Sequence, residues 1–442
     1  MALLLALPGA APAADERAFR APAARPTDKP GPNRNTYTVP EAPRSPACTR
    51  NFCVHWVAEG IDAPNLLDGD ADGLPDYVEQ VQTVAEHVYS IANGKLGWRD
   101  PKSDGRRGGE RGKTDVYLDQ IGGALFGYAA PDRGQGRSAN RLPRRLHGYL
   151  VLDNDYDPRE FPGTTPEHDL RVTFAHEYTH ILQFGYDAYQ DPWFAESTAV
   201  WMEDQVYDGI DDYRRYVRRW VRRYETPLTA NSIKQYGSAV WNQWLARRYG
   251  RSIVRRAWAG ALRARPGGFS VAAYDRAIRA AGGSDFSRDF ARFAADLPEW
   301  RTATAFPEAR AFPDVSRQGN LPLGGRVLDR RLNHTTFQLL RVHARGGRAV
   351  AVDAVAPRGI AAGLALVGRI GGERRGRAVE VLRYRGGGGR LSVRLSRPGR
   401  FDRITAALVN ADAQATGFSP RRLDWAYLTD SAPFRVSARA IR

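Results

Sequence analysis

Cysteine and methionine are almost missing from this chain of 442 residues, at two each, and histidine is scarce at eight. So few cysteines exclude a disulfide-rich scaffold and a cysteine-framed metal site. The pair, Cys48 and Cys53, lies in Cys-Thr-Arg-Asn-Phe-Cys, and in an exported protein that spacing closes a disulfide. No apolar run past the N-terminus approaches the ~20 residues that cross a bilayer, which excludes a membrane span. Zinc-finger, RNA-recognition and helix-turn-helix signatures are missing too, so the formal charge of +16 does not point to nucleic acid. The basic residues are nearly all arginine and are scattered through every segment. Their densest run, Arg214, Arg215, Arg218, Arg219, Arg222 and Arg223, has helical spacing and reads as a solvated helix face.

What is present is globular in composition, with 42% hydrophobic and 26% charged residues. Residues 2–13 form a short apolar stretch that ends in Ala11-Pro12-Ala13, the small-residue pattern of a signal-peptidase site without the usual positive n-region. Residues 1–13 are therefore read as a truncated signal peptide, and the protein as secreted. Residues 14–46 carry seven prolines and almost nothing apolar, which makes them a linker or pro-segment that cannot order itself. Strands are expected at 54–57, 114–118 and 149–152, and helices at 77–92, 166–184, 193–208, 211–224, 236–249, 251–264, 270–281 and 287–297. After Pro313 short apolar runs alternate with glycine-rich turns, as in a β-sandwich. The expected division is a catalytic domain over 47–312 and a sandwich over 313–442.

The segment that carries chemistry is His176-Glu177-Tyr178-Thr179-His180. Two histidines four apart on a helix share a face and can grip one zinc ion, with Glu177 beside the open coordination position. At this composition the pattern is expected by chance only about 0.02 times in the chain. A catalytic zinc takes three protein ligands. The metzincin extension is missing, since Gln183 and Tyr186 stand where Gly and His are needed. Glu196, in an apolar helical stretch, is the candidate third ligand. Glu203, two turns on, is either the alternative ligand or an acceptor for a histidine N–H. Tyr236 is the candidate donor to the oxyanion. No Gly-x-Met-Glu-Asn exopeptidase motif is present, which favours an endopeptidase.

Thr-Phe-Ala-His-Glu-x-x-His-x-x-Gln followed by Trp-Phe-x-Glu-x-x-Ala-x-Trp-Met-Glu-Asp resembles the secreted bacterial metalloproteases of the gluzincin-like peptidase MA clan. The resemblance extends to Cys53-Val-His-Trp, to Leu74-Pro-Asp-Tyr-Val-Glu79 and to Tyr236-Gly-Ser-Ala-Val-Trp ahead of Tyr249-Gly250, and so covers about residues 47–305. It implies an α+β protein: a zincin-type catalytic domain with a mostly helical lower lobe, followed here by the sandwich. It also implies His176, His180 and Glu196 on zinc and Glu177 as the base. Val200 stands where better-known gluzincins carry Asp.

A second cation is expected in the loop 68–79. Asp68, Asp70, Asp72, Asp76 and Glu79 occupy positions 1, 3, 5, 9 and 12 of an EF-hand-type calcium loop, with Gly73 at position 6 and the Leu74 carbonyl at 7. No helix precedes it, so the loop reads as a structural clamp. Asp153-Asn154-Asp155-Tyr156-Asp157 is a further acidic cluster of weaker spacing. The reading that follows is a secreted zinc-dependent endopeptidase, taken as a monomer, with a zinc-activated water, structural calcium and a protein or peptide substrate. The alternative is a non-catalytic, calcium-stabilised adhesion or binding protein with a degenerate zincin domain. Its sandwich would contact cell wall or polysaccharide.

Overall fold

The structure is a computed structural model. It describes residues 24–28, 36–121, 125–132, 145–188, 190–230, 232–261, 269–301, 308–344, 346–370, 377–413, 418–419, 424–425 and 430–442. The expected signal peptide and much of the Pro-rich segment lie outside them. The fold is mixed α+β. Contacts divide the chain into two compact units: residues 1–190, 198–212 and 261–263, and residues 191–197, 213–260 and 264–442.

The first unit is built on a five-stranded sheet of order β1-β2-β3-β5-β4. Its strands are β1 (Ala47–Cys48), β2 (Phe52–His55), β3 (Thr114–Asp119), β4 (Gly127–Pro131) and β5 (Gly148–Asp153). β1 and β2 form a hairpin in which Cys48 and Cys53 are register partners, and a disulfide joins them. Closing so short a loop contributes about 2 kcal/mol on the chain-entropy model. β2, β3 and β5 run parallel, and the crossover from β2 to β3 uses helix α1 (Asp76–Tyr89), as a parallel connection requires. β4 runs antiparallel to β5 at the sheet edge. Its sequence, Gly-Tyr-Ala-Ala-Pro, gives little strand signal and was not expected.

One face of this sheet is covered by α1 and by α2 (Pro166–Asp187), with Phe52 ringed by Phe174 and Tyr178 at centroid distances of 5.4 and 5.2 Å. The other face buries Val57, Tyr117, Tyr128, Tyr149 and Val151 together with Tyr37.

Tyr37 belongs to the Pro-rich segment, and so does the most deeply held cation of the unit. Arg25 is 1% exposed. Its guanidinium donates to Asp104 at 2.5 Å, to Asp115 at 2.5 Å and to both oxygens of Asp132 at 2.7 Å. The Tyr149 hydroxyl donates to the Ala24 carbonyl at 2.7 Å. The expectation that 14–46 cannot order itself therefore fails for residues 24–28 and 36–46. Composition measures apolar burial, and these residues are held by an ion cluster and by single aromatic anchors instead.

Helix α3 (Pro192–Val206) is continuous across the division between the units. The second unit contains α4 (Arg214–Trp220), α5 (Lys234–Gly237), α6 (Ala239–Tyr249), α7 (Ser252–Ala261, divided at its end), α8 (Ser270–Ala281) and α9 (Phe286–Asp296). These helices are followed by β6 (Asn320–Leu321), β7 (Leu328–Leu332), β8 (Thr336–Val342), β9 (Ala349–Ala356), β10 (Ala362–Ile370), β11 (Arg377–Arg385), β12 (Gly389–Ser396), β13 (Arg403–Asn410), β14 (Phe418–Ser419), β15 (Asp424–Trp425) and β16 (Ala432–Ile441). Two sheets, of order β11-β10-β13-β8-β6 and β12-β9-β16-β7, share one apolar core drawn from Leu340, Val352, Leu364, Val393, Leu408 and Phe434 among others. Sheets that bury their inner faces against each other in this way form a sandwich.

Candidate functional site

Helix α2 starts where the sequence signals it. Thr165 caps the helix by accepting from the His168 amide at 3.3 Å, and Pro166 takes the first helical position, where its missing N–H is not needed. From Asp169 onward almost every side chain is buried, polar ones included. A helix buried all round normally carries apolar residues there. This one buries His176, Glu177, Thr179, His180 and Gln183, none more than 3% exposed.

His176 and His180 lie one turn apart, with ring centroids 4.9 Å from each other. Ligand atoms of His176, His180 and Glu196 all fall within 4.8 Å of one another, close enough for one divalent cation to draw them together. Glu196 comes from the first turns of α3 and is fully buried.

Nδ1 of His176 donates to Oε1 of Glu203 at 2.5 Å, and Nδ1 of His180 donates to Oε1 of Gln183 at 2.8 Å. Placing the proton on Nδ1 leaves Nε2 of each ring as the ligating nitrogen. Glu203 thus stands behind a histidine, in the acceptor geometry. Gln183 was not anticipated as a partner of His180, although its place three residues on, on the same helical face, was a usable signal. Two imidazoles and a carboxylate, enclosed by protein, make a donor set that suits zinc. The neighbouring buried carboxylates of Glu177 and Glu203 add negative charge that a cation offsets.

Tyr236 lies on the short helix α5 of the second unit. It is 5% exposed, with its ring stacked on Tyr216 at 5.1 Å. Two residues earlier Lys234 is buried and pushed down to about 7 by that burial, against the opposing pull of Glu225. Its ammonium lies 5.4 Å from the centre of the Trp220 ring and donates to the Thr226 carbonyl.

The loop 68–79 folds on its own carboxylates. Asp76 accepts from the Gly69 amide at 2.9 Å, Asp68 from Gly73 at 2.8 Å and Asp72 from Leu74 at 2.8 Å. Gly73 has φ of +88°, the left-handed turn that only glycine adopts without strain, and a Cβ there would also meet Arg44 Nη1 at 2.5 Å. Asp68, Asp70 and Asp76 form one close grouping, and Asp70, Asp72 and Glu79 another. Burial, followed by the charges of Asp70, Asp72, Asp76 and Asp68, raises the pKa of Glu79. The cluster at 153–157 forms successive turns instead. Asp153 accepts from the Tyr156 amide at 2.8 Å, Asp155 from Asp157 at 2.8 Å, and Asn154 donates to the carbonyls of Ile61 and Ala63 at 2.9 Å.

Residues 163–310 match a family of unknown function (DUF6055). That stretch holds His176, Glu177, His180, Glu196, Glu203 and Tyr236. No curated protein matches the chain. Among solved structures, one from Methylomicrobium album BG8, described as CorA, a surface-associated copper-binding protein important in copper acquisition, aligns at 9% identity and a TM-score of 0.20. The alignment covers 28% of this chain and 98% of that one. The likeness is too slight to bear on fold or function.

Proposed function

We propose that the protein is a secreted zinc endopeptidase of the zincin type, with His176, His180 and Glu196 holding the ion and structural calcium in the loop 68–79. The observation that carries this reading is the buried grouping of those three side chains, with Glu177 next to His176 in sequence and equally buried. Zinc held there supplies Lewis acidity at a carbonyl and lowers the pKa of water to about 7. Glu177 takes the proton of the attacking water and delivers it to the leaving amine. Glu203 and Gln183 orient the imidazoles and fix their tautomers. Tyr236 is kept as the donor to the oxyanion.

A peptide substrate is favoured by strand β4. Among the described strands it pairs only with β5, the edge position at which an extended chain adds to a sheet. β4 also approaches α2 closely: a Cβ on Gly127 would meet Thr173 at 2.7 Å, one turn before His176. The Cys48–Cys53 disulfide agrees with an oxidising, extracellular setting.

The test is casein hydrolysis with and without a zinc chelator, alongside Glu177→Gln. The variant should retain zinc and lose about 10²-fold to 10⁴-fold in turnover, because it removes the base and leaves the three ligands in place. Wild-type hydrolysis by the variant would refute the assigned mechanism.

A further inference from the structure

The outward face of the sheet β12-β9-β16-β7 carries a charge pattern that the proposed chemistry does not use. Register places Arg390, Ser392 and Arg394 of β12 opposite Val355, Asp353 and Ala351 of β9. It places Arg435, Ser437 and Arg439 of β16 opposite the same three residues from the other side. The residues between them, Leu391, Val393, Val352, Ala354, Val436 and Ala438, belong to the sandwich core, so both arginine rows point away from it. The result is two arginine ridges flanking a central strand of small residues, about 10 Å apart at two strand spacings.

The four arginines are exposed. One acid lies between the ridges: Asp353 pairs with Arg439 at 2.9 Å and with Arg390 at 3.7 Å. Arg394 and Arg435 have no ion-pair partner among the described residues. On the next strand Asp329, opposite Arg435, and Arg331, opposite Pro433, offset each other. Four cations against one central anion leave a net positive trough open along its length.

We propose that this face binds a linear anionic polysaccharide, with the polymer lying along β9 and its acidic groups meeting the arginines on either side. Arginine suits carboxylate and sulfate groups because its planar fork bonds them bidentately. Ser392 and Ser437, in line across the trough, supply hydroxyl partners for sugar hydroxyls. Nucleic acid is disfavoured because none of the nine outward residues of this grid is aromatic, which leaves no stacking platform for bases. The inference concerns binding alone and is independent of the peptidase reading.

The experiment measures binding of the full chain to heparin, polygalacturonate, neutral dextran and single-stranded DNA near physiological salt. Three variants are compared: a quadruple Arg→Ser change at Arg390, Arg394, Arg435 and Arg439; a charge-matched quadruple at the exposed Arg218, Arg222, Arg223 and Arg251; and Asp353→Asn. The face variant should bind the acidic glycans at least about 10-fold more weakly, and the control should stay within about 3-fold of wild type. Asp353→Asn should tighten binding, a change that partial unfolding cannot mimic. Equal losses in the two quadruple variants would reduce the effect to net charge and overturn the proposal. Unchanged or weaker binding by Asp353→Asn would also overturn it, as would DNA binding tighter than either glycan and lost in the face variant.

Discussion

Replacing Glu203 by alanine separates the residue behind a ligand from the ligand itself. The carboxylate accepts from His176 Nδ1 at 2.5 Å, and both groups are buried. Deleting it leaves an imidazole N–H in the interior without its acceptor, a cost of about 1–3 kcal/mol. That converts to a factor of about 5–150 in an equilibrium constant. The usual loss when the partner behind a metal-bound histidine is removed, about 10-fold to 100-fold in metal affinity, falls in the same range. Glu196→Ala is a different perturbation, because it removes one of three donors and leaves two imidazoles, too few for a closed site. Purified variants dialysed against a competing chelator of graded strength, followed by measurement of bound zinc, should show Glu203→Ala retaining the metal at reduced affinity and Glu196→Ala without it. If Glu203→Ala is metal-free while Glu196→Ala is not, the two roles are exchanged. If neither variant loses zinc, the donor set is wrong.

Calcium-selective chelation should lower the thermal midpoint while zinc stays bound, since a ligand that binds only the folded state stabilises it by mass action. Asp70→Ala should abolish that response, and a midpoint indifferent to calcium in both proteins would reduce the loop to a surface turn. A pH titration tests Asp119, pushed up to about 8 by burial and by hydrogen bonding and charge from Asp62, with Asp153 adding to it. A carboxyl whose pKa is higher folded than unfolded contributes its full stability below about pH 4 and loses it as pH rises through about 8. Asp119→Asn should therefore outlast wild type at pH 9 by a margin that shrinks toward pH 4, and a pH-independent margin would refute the assignment.

Elements whose signals are local were legible. Helix α8 matches its expected span, and Pro166 behind Thr165 marked the start of α2. The spacing of His176 and His180 likewise fixes one face of one helix whatever surrounds it. Signals that depend on pairing were not legible. β4 has no β-branched residue, and only its place beside β5 and against α2 makes it a strand. Likewise Arg390 and Arg394, or Arg435 and Arg439, read singly as scattered charge. They become two ridges only once β12 and β16 are aligned on β9. The helix expected over 211–224 forms only as Arg214–Trp220. Residues 221–224 are still hydrogen-bonded locally, through the Val221 and Arg223 amides, but do not continue the helix.

Arg25 sets a limit on how far the N-terminus can be trimmed. A chain processed or engineered to begin upstream of Ala24 keeps the guanidinium among Asp104, Asp115 and Asp132. One that begins at Thr27 keeps the three carboxylates and loses the guanidinium that touches all of them. Stripping the partner from buried charge costs about 3–5 kcal/mol, a large share of the ~5–15 kcal/mol that holds a typical protein folded. The folded protein therefore takes in residues 24 and 25, inside the stretch that composition alone reads as a linker or pro-segment.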